Sequence, residues 1–328
     1  MKITVLTYLE REKAKGHESV VDQVRAALKQ TGHHVSVLGV HADVRKLLAG
    51  LSRRKPDLVF NLMEMFGRNL FGDVAVAGLL ELLNLPYTGA GPGECYLQQD
   101  KVLTKKLLAY EGILFPDFAV FFQNSNLETG GKLRMPLFVK PLRADASIGI
   151  NSNSLVDNPT DLMKRVLAIQ EQVHDAALAE EYIEGREFYV SILGNENPVA
   201  FPPIEVDFSG LPAGKPHVLD NKAKWAKNSA EYKGTQTALA DLPDELRARL
   251  HRVALDAYRA VRVRDYGRID IRLSNTGEAY VIEVNANCYL EQGGEFATAA
   301  AAAGLDYPTL INKIVALAHD RFRQRTRR

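Results

Sequence analysis

Residues 267–287 read GRIDIRLSNTGEAYVIEVNAN, two runs that alternate apolar and polar residues on either side of a turn. An alternation of period two marks a strand with one buried face. It also sets register tightly, because a slip of one residue sends every side chain to the wrong face. With NTGE as the turn, Gly277 suits a positive φ. A loop centred between Thr276 and Gly277 then places Asp270 opposite Glu283 and Arg268 opposite Asn285. Ile269, Ile271 and Leu273 share the core face with Tyr280, Ile282 and Val284, and the polar face carries Arg268, Asp270, Glu283 and Asn285.

Like charges directly opposite across an antiparallel pair destabilise it. One reading is a solvated sheet face where water screens both acids. The other is a hard cation held by carboxylate and amide oxygens, the ligands magnesium prefers. Arg268 beside the acids and Asn285 two residues beyond Glu283 favour the cation. Magnesium usually completes its shell with water and phosphate, so the implied guest is a nucleotide.

The 328-residue chain is long enough for two or three packed units. Its net charge of +1 gives no concentrated basic face for nucleic acid. The terminal RFRQRTRR is basic and reads as a short frayed tail. Cys95 and Cys288 are too few for a disulfide framework or a thiolate zinc site. No signal-peptide stretch and no apolar run of about 18 residues is present, so no membrane association is expected and a cytoplasmic location is.

Up to about residue 93, strand-like runs (KITVLTY, HHVSVLGV, PDLVFNL) alternate with helical ones (ESVVDQVRAALKQTG, DVRKLLAGL, DVAVAGLLELLNL). That pattern predicts an α/β domain over 1–95, a parallel sheet covered by helices. Residues 96–184 read as a small α+β unit, with NSNLETGGKLRM as a polar connection. Residues 185–328 hold a long polar loop from about 209 to 236, a helix from Pro243 to Val261, the opening hairpin and an alanine-rich closing helix.

Familiar phosphate-binding motifs are absent. Gly67 and Gly72 have the spacing of a P-loop, but Asp73 and Val74 replace its lysine and hydroxyl, and no G-x-G-x-x-G follows the first strand. Phosphates must then be held by separate lysines and a glycine-bearing loop. Lys101 at a helix start, Lys140 at the end of PLFVK, and Lys224 in AKW stand in suggestive places, though a single lysine is usually just a solvated surface residue. In ALAEEYIEGREF, the acids Glu180, Glu181, Glu184 and Glu187 flank apolar positions. A strand end of this kind could read an adenine edge, with a later carboxylate taking ribose hydroxyls.

The order DK, FVKP…SIG, EEYIEGREF, AKW, GRIDIRL and YVIEVNAN resembles the ATP-grasp superfamily, and LLELLNLPYTGAGP brings the chain close to the D-alanine–D-alanine ligases. The likeness runs from about residue 58 to 315. It implies an ATP-grasp fold with a small central lid domain and a C-terminal mixed sheet. It also implies an ATP- and Mg²⁺- (or Mn²⁺-) dependent carboxylate–amine ligase working through an acyl phosphate. By resemblance Lys101 and Lys140 contact the nucleotide phosphates, Lys224 reaches the γ-phosphate, and Ser147 belongs to the nucleotide site. Glu180 accepts from the adenine amino group, Glu181 to Ile183 form the hinge backbone, and Glu187 holds the ribose. Asp270, Glu283 and Asn285 ligate the metal, and Arg268 stabilises the acyl phosphate and the tetrahedral intermediate. A homodimer is a further implication.

The chain also departs from that family. Cys288 and Tyr289 stand where the family has a Pro-Gly turn, and Gly294 and Glu295, with Glu291 close by, stand near its carboxylate-binding Ser-Leu pair. RADAS loses a serine from the central loop, and Trp225 replaces a tyrosine. Substrates other than two D-alanines are therefore expected. Glu18, Glu64 and Asp73 are candidate substrate contacts, with an ordinary exposed helix-start acid the alternative for Glu18. Cys288 has no histidine nearby in sequence and reads as a bystander. A phosphotransferase that releases its phosphorylated product, and a nucleotide-binding module without chemistry, are the competing classes.

Overall fold

The computed structural model describes every residue except 13, 15, 125, 145–147, 213, 220, 227, 327 and 328. The chain opens with β1 (Lys2–Tyr8), α1 (Ser19–Gln30), β2 (His34–Val40), α2 (Val44–Arg54), β3 (Leu58–Leu62) and α3 (Gly72–Leu82). The strands form a parallel sheet in the order β2-β1-β3. Helices cover both faces, as a β1 buried over residues 3–7 requires. Val20, Val24 and Leu28 of α1 meet Ile3 and Val5, while Leu47 and Leu51 of α2 and Val76 and Leu80 of α3 meet Leu6 and Val59.

Next come α4 (Pro92–Gln99), α5 (Lys101–Tyr110), β4 (Phe118–Phe121), β5 (Leu127–Gly130), β6 (Leu137–Pro141), β7 (Leu155–Val156), α6 (Pro159–Gln172) and β8 (Ala177–Glu181). The strands make an antiparallel sheet, β5-β4-β8-β6-β7. The segment expected to be a bare polar connection contains β5. Its exposed alternation pairs with the edge of β4, giving the sheet one more strand without adding to the core.

The last part comprises β9 (Gly185–Leu193), β10 (Val199–Ala200), β11 (Ile204–Asp207), α7 (Asn221–Trp225), α8 (Ala230–Gly234), β12 (Gln236–Leu239), α9 (Asp244–Ala260), β13 (Tyr266–Ser274), β14 (Ala279–Asn285), α10 (Glu295–Ala302) and α11 (Tyr307–Thr326). The antiparallel path is β12-β11-β9-β13-β14, with β10 on β9. Leu250, Ala254, Ala257 and Tyr258 of α9 cover one face, packing on Phe188, Val190, Ile269, Ile271 and Val281. The polar loop expected over 209–236 therefore carries two short helices, α7 and α8.

β8 and β9 are consecutive but belong to different sheets. Between them Gly185 has φ +147°, and a Cβ there would lie 2.0 Å from the Leu273 carbonyl oxygen. Only glycine allows the chain to leave the small sheet and join β13 at once.

The basic C-terminus is not a frayed tail. α11 continues through it to Thr326, Arg321 binds Asp265 and the Tyr87 carbonyl, and Arg325 pairs with Glu81. Positive charge in the last turn suits the helix C-terminus, and here it also finds buried acceptors.

Candidate active site

The face of the large sheet turned away from α9 is polar at its centre. Alternation presents Glu187, Tyr189 and Ser191 from β9 directly beside Arg272, Asp270 and Arg268 from β13. On the other side of β13, Asp270 faces Glu283 and Arg268 faces Asn285. The two acids thus meet as the alternation predicts, but by a different count. Nearer the turn, Ile271 pairs with Val281 and Leu273 with Ala279, and the register shifts at Asp270/Ile271. An irregularity at Ile282 restores the alignment at Glu283. Tyr280 and Ile282 are therefore not core residues; Val281, 1% exposed, takes that place.

Protein cations already compensate these acids. Arg268 forks onto Asp270, Nε to Oδ1 at 2.7 Å and Nη2 to Oδ2 at 2.9 Å, and lies 4.2 Å above the centre of the Tyr189 ring. Burial pushes the Asp270 carboxyl up; Arg268 opposes this, and Glu283 and Glu187 add to it. Burial also pushes Glu283 up, but Lys101, Lys140, Lys224 and Arg268 outweigh it and hold the group below the usual range. Lys101, Lys140, Lys224 and Arg268 thus act on one carboxylate from four separate segments of the chain.

Lys105 from α5 and Lys140 from the small sheet each approach one oxygen of Glu180 at 2.8 Å, with all three residues buried. Burial pushes the Glu180 carboxyl up, yet the two ammonium groups bring it down to about 2. Lys101 lies 3.7 Å from Glu283 and donates to the carbonyls of Leu142 and Ala144. It therefore ties the loop after β6 to β14. The Asn221 N–H at the start of α7 donates to the Ile150 carbonyl, so the 209–236 segment touches the loop after β6. Ser147 lies outside the described residues. Glu181 turns its carboxylate to Arg134, and the Ile183 carbonyl accepts from Arg272. Glu187, expected to meet ribose, accepts from Arg272 at 2.8 Å and from the Tyr189 hydroxyl at 3.0 Å.

Asp270, Glu283 and Asn285 supply two carboxylates and an amide, and the buried Asn285 Nδ2 has no partner. No group of three or more His, Cys, Asp or Glu suited to a metal occurs among the described residues. An all-oxygen, incomplete set fits magnesium, which takes its remaining ligands from phosphate and water.

Beside this face lies a cleft of about 200 Å³, lined in part by Glu18, Asn61, Glu64, Tyr266, Cys288 and Tyr289. Glu18 and Glu64 therefore share it, and Glu18 is hydrogen-bonded to the Tyr289 hydroxyl. Asp73 is absent from the lining; it is buried and accepts from Gln99. Gly294 caps α10 and Glu295 begins it, 3.9 Å from Arg268, while Glu291 accepts from the Ser19 hydroxyl. The acids near 291–295 thus both have partners. Burial pushes the Cys288 thiol up to about 12, which keeps it protonated at neutral pH.

Four contributors escape a sequence reading. Lys105 sits one turn after Lys101 on α5, a helix spacing that could have flagged it. Arg272 and Tyr189 follow from the β9–β13 register, which no local pattern reveals. Gln98 accepts from the backbone N–H groups of Ala286 and Asn287, clamping the loop after β14 to α4. That contact spans nearly two hundred residues and leaves no local signal.

A polar sheet face approached by Lys101 from α5, Lys140 from the small antiparallel sheet and Lys224 from α7 is the arrangement of an ATP-grasp enzyme. Residues 107–316 match the family model described as D-ala D-ala ligase C-terminus. The chain is 31% identical over 305 residues to the D-alanine–D-alanine ligase of Carboxydothermus hydrogenoformans, covering 90% of this chain and 91% of that one. It is 33% identical over 312 residues to the uncharacterized protein y4sG of Sinorhizobium fredii, covering 92% and 88%. Among solved structures, the Bacillus anthracis D-alanine–D-alanine ligase complexed with ATP superposes with a TM-score of 0.75 at 22% identity, covering 99% of each chain. The VanG D-Ala:D-Ser ligase of Enterococcus faecalis gives 0.71 at 20%, covering 97% and 99%. The chain belongs to the D-alanine–D-alanine ligase family. It is an ATP- and magnesium-dependent, ADP-forming ligase that makes C–N bonds between small molecules.

No helix among the described residues is long and apolar enough to cross a membrane.

Proposed function

We propose that this protein joins a small carboxylate to an amine through an acyl phosphate, with substrates other than two D-alanines. In this reading the substrate carboxylate attacks the γ-phosphorus of ATP with Lys140 and Lys224 neutralising the phosphates, and the amine then displaces phosphate from the activated carbonyl. Bound magnesium would be held by Asp270, Glu283 and Asn285 and would neutralise phosphate charge. Arg268 would donate to the developing oxyanion, for which it must turn from Asp270. Phosphoryl transfer depends mainly on such positioning and neutralisation, so no protein nucleophile is required. Lys101 and Ser147 would support the phosphates and Glu180 the adenine, with Glu181 to Ile183 as hinge and Glu187 at the ribose. Glu18 and Glu64 would face the first substrate, with Gly294 and Glu295 near the second. Units divided near residues 95 and 184, a cytoplasmic location and a homodimer complete the proposal.

The observation that carries the substrate statement is the acid-bearing approach to Arg268. Glu295 stands 3.9 Å from that guanidinium, and Glu18 and Glu64 line the adjoining cleft. A second carboxylate entering there would have to compete with Glu295 for Arg268 and would approach the acids of the cleft. ADP release should be measured with magnesium, ATP and pairs drawn from amino acids, dipeptides and amines. Full turnover that needs both partners, with little D-alanyl-D-alanine at millimolar D-alanine, is expected. Efficient D-alanyl-D-alanine formation would contradict the substrate statement. Phosphorylated product without any need for amine would make the protein a phosphotransferase instead.

A further inference from the structure

Tyr189 connects two groups to which the proposed chemistry gives separate tasks. It lies in the middle of β9, 3% exposed, paired with Ile204 on one side and Asp270 on the other. Its hydroxyl donates to Glu187 Oε1 at 3.0 Å, and its ring face carries the Arg268 guanidinium at 4.2 Å. The second Glu187 oxygen, Oε2, is 2.8 Å from Arg272 Nη2. Each carboxylate oxygen has two lone pairs, so this arrangement occupies one on each and leaves one on each for an incoming ligand. With both oxygens tethered, rotation of the carboxylate plane is restricted, and each oxygen keeps one acceptor position. Adjacent hydroxyls on a five-membered sugar match such a pair of acceptors. A carboxylate oxygen can only accept, so the phenol is the donor in this pair.

We propose that Tyr189 is a positioning residue that sets sugar discrimination through Glu187 and, with its ring, supports Arg268. The inference rests on the assignment of Glu187 to the ribose. Local sequence does not reveal it: Tyr189 alternates with apolar Phe188 and Val190, and only the strand register turns it toward the site. Its two roles are separable by chemistry. Tyr189→Phe removes the hydroxyl and keeps the ring; Tyr189→Leu removes both.

Equilibrium binding of ATP, 2′-deoxy-ATP and 3′-deoxy-ATP, each with magnesium, should be compared for the wild type and both variants by calorimetry. A net hydrogen bond of ordinary strength corresponds to about threefold to tenfold in affinity. Y189F should therefore lose about that factor of its preference for ATP over the deoxy nucleotides while binding the deoxy forms as the wild type does. A merely structural effect would weaken all three nucleotides together and leave the ratio unmoved, and that result overturns the proposal. Y189L should show the same ratio as Y189F, with slower substrate-dependent ADP formation; equal rates would overturn the ring's role. If the wild type itself binds all three equally, the Glu187 assignment fails and this inference with it. If the wild type discriminates and Y189F does so equally well, the inference alone fails.

Discussion

Lys105 shows how much a single side chain can govern without touching a reacting atom. It is 3% exposed, it shares Glu180 with Lys140, and its ammonium lies over the rings of Phe115 and Phe118. Removing one partner of a buried ion pair typically costs about 3–5 kcal/mol. Lys140 remains to compensate, so Lys105→Met is expected at the lower end, about 3 kcal/mol in denaturant unfolding. The same cluster predicts a pH dependence. The Glu180 carboxyl falls from its ordinary 4.5 to about 2 in the folded state. Its stabilisation is therefore complete above pH 4.5 and lost as the pH falls toward 2. Burial lowers the pKa of Lys105 despite its partner, so the net worth of the cluster is smaller than the Glu180 shift alone suggests. Stability measured from pH 6 to 2.5 should fall less steeply in Glu180→Gln than in the wild type; parallel curves would contradict this.

Glycine placement decides where strands turn and where they change sheets. Gly277 has φ +88° with open space around it, so Gly277→Ala should cost about 1 kcal/mol and leave activity intact. Gly185→Ala should be far worse, because the new Cβ would strike the Leu273 carbonyl at the β9–β13 junction. Thermal unfolding of both variants checks this ranking, and equal losses would refute it. Much at this scale was legible beforehand. The alternation of 267–287 predicts the meeting of Asp270 with Glu283, and the strand–helix rhythm before residue 93 predicts the parallel sheet. The irregularity at Ile282 was not legible, because local alternation cannot show an extra residue on one strand. Arg272, Tyr189 and Gln98 stayed hidden for a related reason: each acts through a partner far away in sequence, where only pairing or packing brings the groups together. The motif residues were visible because their order along the chain is distinctive, not because any one of them is.

Across the whole molecule, the C-terminal helix closes the structure on itself. α11 packs against α1, placing Leu310, Ile311 and Ile314 in the same core as Val24 and Phe60. Arg321 reaches Asp265, a fully buried carboxylate that also accepts from Gly89 N–H and from Asn195. Truncation after residue 320 would leave that acid without its cation, a loss of at least about 3 kcal/mol. A frayed tail would cost nothing, so the melting temperature of the truncated chain separates the two. The wider account depends on the polar face being where metal and triphosphate meet. The most direct measurement is an anomalous difference map from crystals grown with Mn²⁺ and a non-hydrolysable ATP analogue. A manganese peak bridging the analogue's phosphates and the oxygens of Asp270, Glu283 and Asn285, with Arg268 swung off Asp270, is predicted. A peak elsewhere, or an analogue bound away from the β13–β14 face, would contradict it.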